Sequence, residues 1–115
     1  MNIEKITLNN LTAIEGEQVI DFTAEPLRSA ALFAITGDTG AGKSTILDAV
    51  CLALYDRAPR FEGMEKLSSD NLKRQEDRAQ AMQAGDVRAM LRRGCKEGYT
   101  TVVFATPDGA RYEAG

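Results

Sequence analysis

Residues 32–46 read LFAITGDTGAGKSTI, and this stretch decides the fold of the chain. Its first four residues are apolar and predict a short buried strand. Residues 37–44 match the pattern G-x-x-x-x-G-K-[ST] at every fixed position, and residues 45–54 after them predict a helix. Because this motif requires a strand before it and a helix after it, the sequence predicts a phosphate-binding loop in an α/β fold.

The residue types of this loop suit a nucleotide triphosphate. Its three glycines lack side chains, so backbone N–H groups can approach the phosphates, and the helix start adds further donors. Lys43 can reach the β- and γ-phosphates, and the Ser44 hydroxyl is placed to bind Mg²⁺. We therefore predict a nucleotide site with Ser44 as its metal ligand. The predicted binding residues are Gly37, Asp38, Thr39, Gly40, Ala41, Gly42, Lys43, Ser44 and Thr45.

The composition is typical of a soluble globular chain of at most one domain. It has 115 residues, and the hydrophobic share of 43% is enough for a packed core. No apolar run is long enough for a membrane span or a signal peptide, and Cys51 and Cys95 lack disulfide or zinc spacing. We therefore expect a cytoplasmic protein. The net charge of −3 argues against binding nucleic acid through bulk charge, and the lack of histidine excludes histidine chemistry in this chain.

Two strand pairs are predicted, one before the loop and one near the end of the sequence. Residues 3–11 form an opening strand, and residues 17–22 alternate as its antiparallel return strand. Residues 99–105 form another strand, which the turn at 106–109 connects to a returning strand at 110–113. The predicted fold is an antiparallel β-meander packed beside the phosphate-loop strand and its helix.

The helix after the loop is apolar on most sides, which predicts burial beneath a sheet and beside another domain. Asp48 lies one turn beyond Ser44 and could approach the metal, although a structural role is the more usual one for a polar residue on a buried helix. The apolar stripe consists of Ile46, Leu47, Val50, Ala53 and Leu54.

Residues 61–97 are expected to be a mobile insertion, and the part at 70–84 is rich in Lys, Arg, Glu, Gln and Ala, with few large apolar side chains. Residues 70–84 favour an exposed helix or a mobile segment, and residues 87–93 favour a short helix. Arg92 and Arg93 could meet DNA phosphates, but the acidic residues nearby favour an ordinary solvated face.

The second acidic motif of phosphate-loop hydrolases, an apolar strand that ends in Asp or Asp-Glu, is missing from the sequence. Residues 19–21 are too few, and come too early in the chain, to be this motif. The strand at 102–105 reaches Asp108 only through a hairpin turn. The chain therefore holds half of a nucleotide site and no assigned catalytic residue. The other half is expected beyond residue 115 or on another chain.

Several stretches resemble one family closely. Residues 6–11, 20–22 and 32–60, with the phrases Leu47-Asp48-Ala49 and Leu52-Ala53-Leu54-Tyr55, are similar to the start of the SbcC family. These proteins are the ATPase subunits of SbcC–SbcD nucleases, within the SMC-like group of ABC-type ATPases. The resemblance is tight over residues 1–60 and looser over residues 61–115.

This resemblance implies a P-loop NTPase head of the ABC/SMC-like type that binds ATP and Mg²⁺ in DNA repair and recombination. Residues 1–115 would be the N-terminal lobe, inactive alone and completed by the C-terminal half of its own head. A second copy of the head would close over ATP and regulate an SbcD-like nuclease on DNA. In relatives a basic residue in the turn after the first strand often contacts the base, but here Thr12 and Ala13 occupy that place.

Three other functions could use the same loop. A P-loop kinase would need lid arginines and an acceptor pocket, which the sequence does not locate. A fragment of an ABC transporter ATPase would carry a similar motif. A non-enzymatic interaction module with a vestigial loop is disfavoured because Lys43 and Ser44 are intact.

Overall fold

The computed structural model describes residues 1–57 and 87–115, in which an antiparallel sheet packs against a single long helix. Short 3-10 helices lie at Leu27–Ser29 and Val87–Met90. The order of strands across the sheet is β2-β1-β3-β4. The main elements are β1 (Asn2–Asn9), β2 (Glu17–Asp21), α1 (Lys43–Tyr55), β3 (Tyr99–Ala105) and β4 (Arg111–Ala114).

Strand β1 lies inside the sheet and sets the register of its neighbours. Ile6 pairs with Ile20 of β2 on one side and with Val102 of β3 on the other. Because side chains alternate along a strand, Ile6 and Leu8 share one face, and both are buried there with Val102. This face receives α1, and the sheet therefore holds the helix that follows the phosphate loop.

The core lies between this sheet face and α1. Ala49 is fully buried, and its carbonyl oxygen accepts a hydrogen bond from Thr100 Oγ1 at 3.2 Å. Leu11 and Met90 extend the core beyond the end of β1. The middle of α1 is consequently anchored to β3, which ties the helix to the sheet.

The predicted strand at residues 32–35 is wrong. The segment is extended but pairs with no strand of the described sheet, and Leu32 is 90% exposed. Phe33 contacts the ring of Phe22 at a centroid distance of 5.2 Å. An apolar run becomes a strand only where another strand offers hydrogen-bond partners, and β1–β4 pair among themselves without this segment.

Two further details of the prediction need correction. The sheet is antiparallel as expected, but it is not a meander, because β1 lies between β2 and β3. The predicted stripe of α1 is confirmed in part, because Ile46, Val50 and Ala53 pack against the core. Leu47 is 66% exposed, whereas Thr45 and Asp48 are buried. Asp48 thus occupies a packed position on the helix.

The predicted hairpin of β3 and β4 is confirmed, and Asp108 belongs to its turn. Strand β3 matches the predicted bounds, and Asp108 lies in the turn that leads to β4. The Asp108 carboxylate accepts hydrogen bonds from the Thr106 hydroxyl and from the backbone N–H of Ala110. These bonds, that from Thr106 most strongly, lower the pKa of Asp108. Asp108 serves the turn, as the sequence predicted.

Replacing Thr106 with valine is expected to raise the pKa of Asp108 toward its ordinary value. Because the folded-state pKa is depressed, the contribution of this carboxylate to stability is present above its ordinary pKa and is lost as the pH falls through the folded pKa. Carboxyl-carbon NMR on segmentally labelled protein measures the titration. Asp21 is the internal control, since hydrogen bonds from Thr23 lower its pKa independently. An unchanged Asp108 titration would contradict this account.

Some predictions lie outside the described residues. These are the polar segment 70–84 and most of the proposed insertion at 61–97. The short helix predicted at 87–93 is present as the 3-10 turn Val87–Met90. In the two described ranges, no helix has the length and apolar character needed to cross a bilayer.

Candidate functional site

The phosphate loop, residues 37–44, runs from the extended segment into the first turn of α1. Gly42 is the N-cap of the helix and has a φ of 104°, and Lys43 is the first helical residue. Gly40 also has a positive φ, of 83°. Residues 37–41 are exposed. The glycines therefore supply backbone angles that other residues adopt only with strain, and they leave the loop open at the helix N-terminus.

The side chain of Lys43 folds back over the loop. Its Nζ donates hydrogen bonds to the carbonyl oxygen of Gly37 and, at 2.8 Å, to that of Asp38. The ammonium group is thereby held within the curve of the loop, next to the helix start, where the N-cap makes no side-chain hydrogen bond and the first N–H groups lack intrahelical partners. An anion that enters this curve meets a positive charge and backbone donors together.

The side chain of Ile14 approaches Gly42 closely. A Cβ added there would lie 2.6 Å from Cδ1 of Ile14 and 3.3 Å from its Cγ1. Ile14 belongs to the turn segment 10–15, which lies in the connection from β1 to β2. The absence of a side chain at Gly42 thus lets this turn pack directly on the start of α1.

A second contact between the turn segment and the helix joins two hydroxyl groups. Thr12 Oγ1 and Thr45 Oγ1 are 2.5 Å apart and share a hydrogen bond. Thr45 is 3% exposed, so its hydroxyl is buried at the helix start. Thr12 has a φ of 42°, which is unusual for a β-branched residue. Its hydroxyl therefore reaches the helix from a strained position in the turn.

These elements enclose a cavity of about 340 Å³. It contains six of the nine residues that the sequence predicts for the nucleotide site, while Gly37 and Asp38 act through their carbonyls on Lys43. Ala41 is not among the lining residues. Thr12 and Ala13 are additional wall residues that lie outside the predicted set. The lining residues are Thr12, Ala13, Thr39, Gly40, Gly42, Lys43, Ser44 and Thr45.

A second cavity, of about 410 Å³, lies against Leu11, Leu52 and Tyr99. Its lining is largely apolar and includes no residue of the phosphate loop. Arg88 and Lys96 also line this larger cavity. The smaller cavity is nevertheless the candidate site, because it combines Lys43 with the backbone of the phosphate loop and the start of α1.

The expectation that Arg92 lies on an ordinary solvated face is wrong. Its side chain is 33% exposed and bonds to the turn segment at Thr12 and Ala13, so it does not belong to an ordinary solvated face. Arg93 is exposed, as expected. No local pattern could have indicated the bond to Thr12, because Arg92 lies 80 residues further along the chain.

A comparison with known protein families agrees with the geometry of this phosphate loop. The family described as AAA domain matches residues 5–113. This match includes β2, β3, the phosphate loop, α1 and most of β1 and β4. The chain belongs to the AAA domain family. The P-loop NTPase class predicted from residues 37–44 is thereby confirmed.

Individual relatives agree with this family assignment. The chain is 52% identical over 114 residues to the SbcC subunit of the SbcCD nuclease of Pseudomonas aeruginosa, and 47% identical over 114 residues to that of Rhodobacter capsulatus. Each alignment covers 99% of the chain and 9% of the relative. A probable DNA double-strand break repair Rad50 ATPase of Aquifex aeolicus is 46% identical over 57 residues, which are 50% of the chain and 5% of the relative. The resemblance to the SbcC family is confirmed.

Proposed function

We propose that this AAA domain is the ATP-binding N-terminal lobe of an ATPase head in a DNA repair and recombination protein. The observation that carries the proposal is the placement of Lys43 Nζ over the loop, beside the open start of α1 and a cavity of about 340 Å³. The names of the relatives, which are an SbcCD nuclease and a Rad50 ATPase, support the cellular role. Because the chain covers 9% of the SbcCD relatives' length, the activity belongs to a longer protein.

Binding in this proposal begins with an exchange of partners by Lys43. Its ammonium group leaves the carbonyls of Gly37 and Asp38 and pairs with phosphate oxygens, which are stronger acceptors because they are charged. The helix dipole adds attraction at the same place. Gly40 and Gly42 keep the loop free of side chains, so backbone N–H groups can approach the phosphates. These residues bind and orient the triphosphate.

The residues at the helix start also fit Mg²⁺. Ser44 is exposed, lies in the first turn of α1 and lines the cavity, so its hydroxyl is accessible beside the phosphate-binding loop. A hydroxyl oxygen and phosphate oxygens are suitable ligands for this hard cation. When bound, Mg²⁺ would neutralise charge on the phosphates. Ser44 is the proposed ligand of this chain.

Hydrolysis requires groups that this chain does not supply, since the second acidic motif is missing from its sequence. The apolar side chains of Leu32, Phe33 and Ile35 are 90%, 47% and 45% exposed. We assign this surface to the C-terminal half of the same head, which would offer residues 32–35 the strand partners they lack. The present residues alone are accordingly expected to be inactive as an ATPase.

In the complete protein, a second copy of the head would close over bound ATP. The closed form would regulate an SbcD-like nuclease that acts on DNA. Light scattering on the full-length protein tests this step. ATP with Mg²⁺ should increase the fraction of head dimer, and an unchanged fraction would refute the proposed switch. A P-loop kinase would instead need an acceptor substrate for turnover, so acceptor-independent hydrolysis distinguishes the two functions.

Replacing Ser44 with alanine is expected to remove most of the Mg²⁺ dependence of ATP binding in the full-length protein. The hydroxyl ligand is lost, while Lys43 and the loop donors remain, so affinity without Mg²⁺ should change little. We expect MgATP affinity to fall ~10-fold or more, on the scale of perturbed metal sites. Fluorescent-nucleotide titrations with and without Mg²⁺ measure both values.

Ser29→Ala is the matched control for this measurement, because Ser29 is exposed on a 3-10 turn and lies outside the residues that line the cavity. It should retain the wild-type stimulation by Mg²⁺. If Ser44→Ala also retained it, Ser44 would not be the metal ligand.

A further inference from the structure

We infer that Arg92 is a positioning residue of the nucleotide site, which acts by fixing the turn segment 10–15 against the start of α1. The inference rests on the proposed nucleotide-binding function and adds a residue distant in sequence from the phosphate loop. Arg92 does not line the cavity beside Lys43. Its influence on nucleotide binding must therefore pass through the turn.

The guanidinium group of Arg92 holds three atoms of the turn segment. Its Nη1 donates hydrogen bonds to the carbonyl oxygens of Thr12, at 3.1 Å, and Ala13, at 3.2 Å. Its Nη2 lies 3.6 Å from a carboxylate oxygen of Glu15. Glu15 is largely exposed, so the ion pair contributes less than the two carbonyl bonds. The guanidinium fork thus fixes successive peptide groups of the turn.

Backbone hydrogen bonds bring Arg92 to this position. Its N–H donates to the carbonyl oxygen of Asn10 at 2.8 Å, and the N–H of Thr12 donates to that of Met90 at 2.8 Å. Leu11 and Leu91 form an isolated antiparallel bridge between these bonds. Since Met90 and Leu11 are buried in the core, the base from which Arg92 reaches the turn is rigid.

The turn transmits this constraint to the phosphate loop through two contacts. Thr12 Oγ1 lies 2.5 Å from Thr45 Oγ1, and Ile14 packs at the bare Cα of Gly42. Thr12 adopts a φ of 42°, and such strained residues persist only where their surroundings determine them. The bonds from Arg92 to the carbonyls of Thr12 and Ala13 help to hold Thr12 in this conformation. Without them the turn can relax and release Thr45 and Gly42.

The test compares Arg92→Ala with Arg93→Ala in the full-length protein, using a fluorescent ATP analogue as the probe. We expect Arg92→Ala to weaken binding about 10-fold, on the scale of losing a supporting contact of a site. Arg93→Ala removes the neighbouring exposed arginine and should leave affinity unchanged. Arg92→Lys keeps the charge but loses the planar fork, so it should recover only part of the affinity.

A double-mutant cycle separates positioning from general destabilisation. If Arg92 acts through the turn, Arg92→Ala and Thr12→Val should be non-additive, and the double variant should bind about as weakly as the weaker single variant. Additive losses, or a lower Tm with unchanged affinity, would overturn the inference. If Arg92→Ala does not fold, Arg92→Lys takes its place in the cycle, and its loss of affinity should again be non-additive with that of Thr12→Val.

A further variant, Lys43→Ala, distinguishes this inference from the function on which it rests. If Lys43→Ala loses ATP binding while Arg92→Ala binds normally, the role of Arg92 is wrong and the nucleotide site stands. If Lys43→Ala binds ATP normally, the proposed nucleotide site fails and the inference fails with it. If both variants lose binding and the cycle is non-additive, the positioning role is supported.

Discussion

Full-length protein carrying Lys43→Ala should fail to bind ATP tightly and should lose ATP-driven head closure. The substitution removes the ammonium group that lies within the phosphate loop, where it holds the carbonyls of Gly37 and Asp38. Loss of a preorganised charge-stabilising donor typically lowers turnover by ~10²–10³-fold. Because both carbonyls lie on an exposed loop outside the core, the fold should remain intact.

Fluorescent-nucleotide binding, steady-state hydrolysis and circular dichroism together test this expectation. Lys96→Ala is the control, because Lys96 is exposed and lies outside the cavity that contains Lys43. It should bind and turn over normally. A Lys43→Ala protein that closes its heads and hydrolyses ATP at the normal rate would show that Lys43 does not have the proposed role.

The parts of the structure that sequence predicted correctly are those that depend on local chemistry. The hairpin turn at 106–109 uses proline and glycine at positions that require their backbone angles, and strand β3 has the expected bounds. The phosphate loop was recognisable because its function demands particular residues at fixed spacing. Its glycines indeed adopt positive φ at Gly40 and Gly42.

The errors arose where structure depends on distant partners. Residues 32–35 have the composition of a buried strand, but the described strands leave them unpaired and exposed. The apolar surface of α1 is wider than the face that meets the sheet, so periodicity alone could not decide that Leu47 would point outward. Arg92 was assigned to the solvent because nothing near it in sequence reveals the carbonyls of Thr12 and Ala13.

Gly42→Ala should damage both stability and nucleotide binding in the full-length protein. Gly42 has a φ of 104°, and its new Cβ would lie 2.6 Å from Cδ1 of Ile14. The isoleucine tip can rotate away, so the backbone conformation is the larger obstacle, with a destabilisation of about 1–3 kcal/mol. Movement of Ile14 would also shift the turn segment from the helix start. We expect ATP affinity to fall more than 10-fold, on the scale of 1.4 kcal/mol for each tenfold change.

Gly109→Ala is the control that separates these two effects. Gly109 has a φ of 86° in the turn between β3 and β4, and apart from its two chain neighbours nothing lies within 4 Å of an added Cβ. It should lower the free energy of unfolding by a similar backbone penalty while leaving ATP affinity unchanged. Combining Gly42→Ala with Ile14→Ala should restore part of the binding by making room for the Cβ. If Gly42→Ala bound ATP as tightly as Gly109→Ala, the close packing of the turn on the phosphate loop would not matter for nucleotide binding.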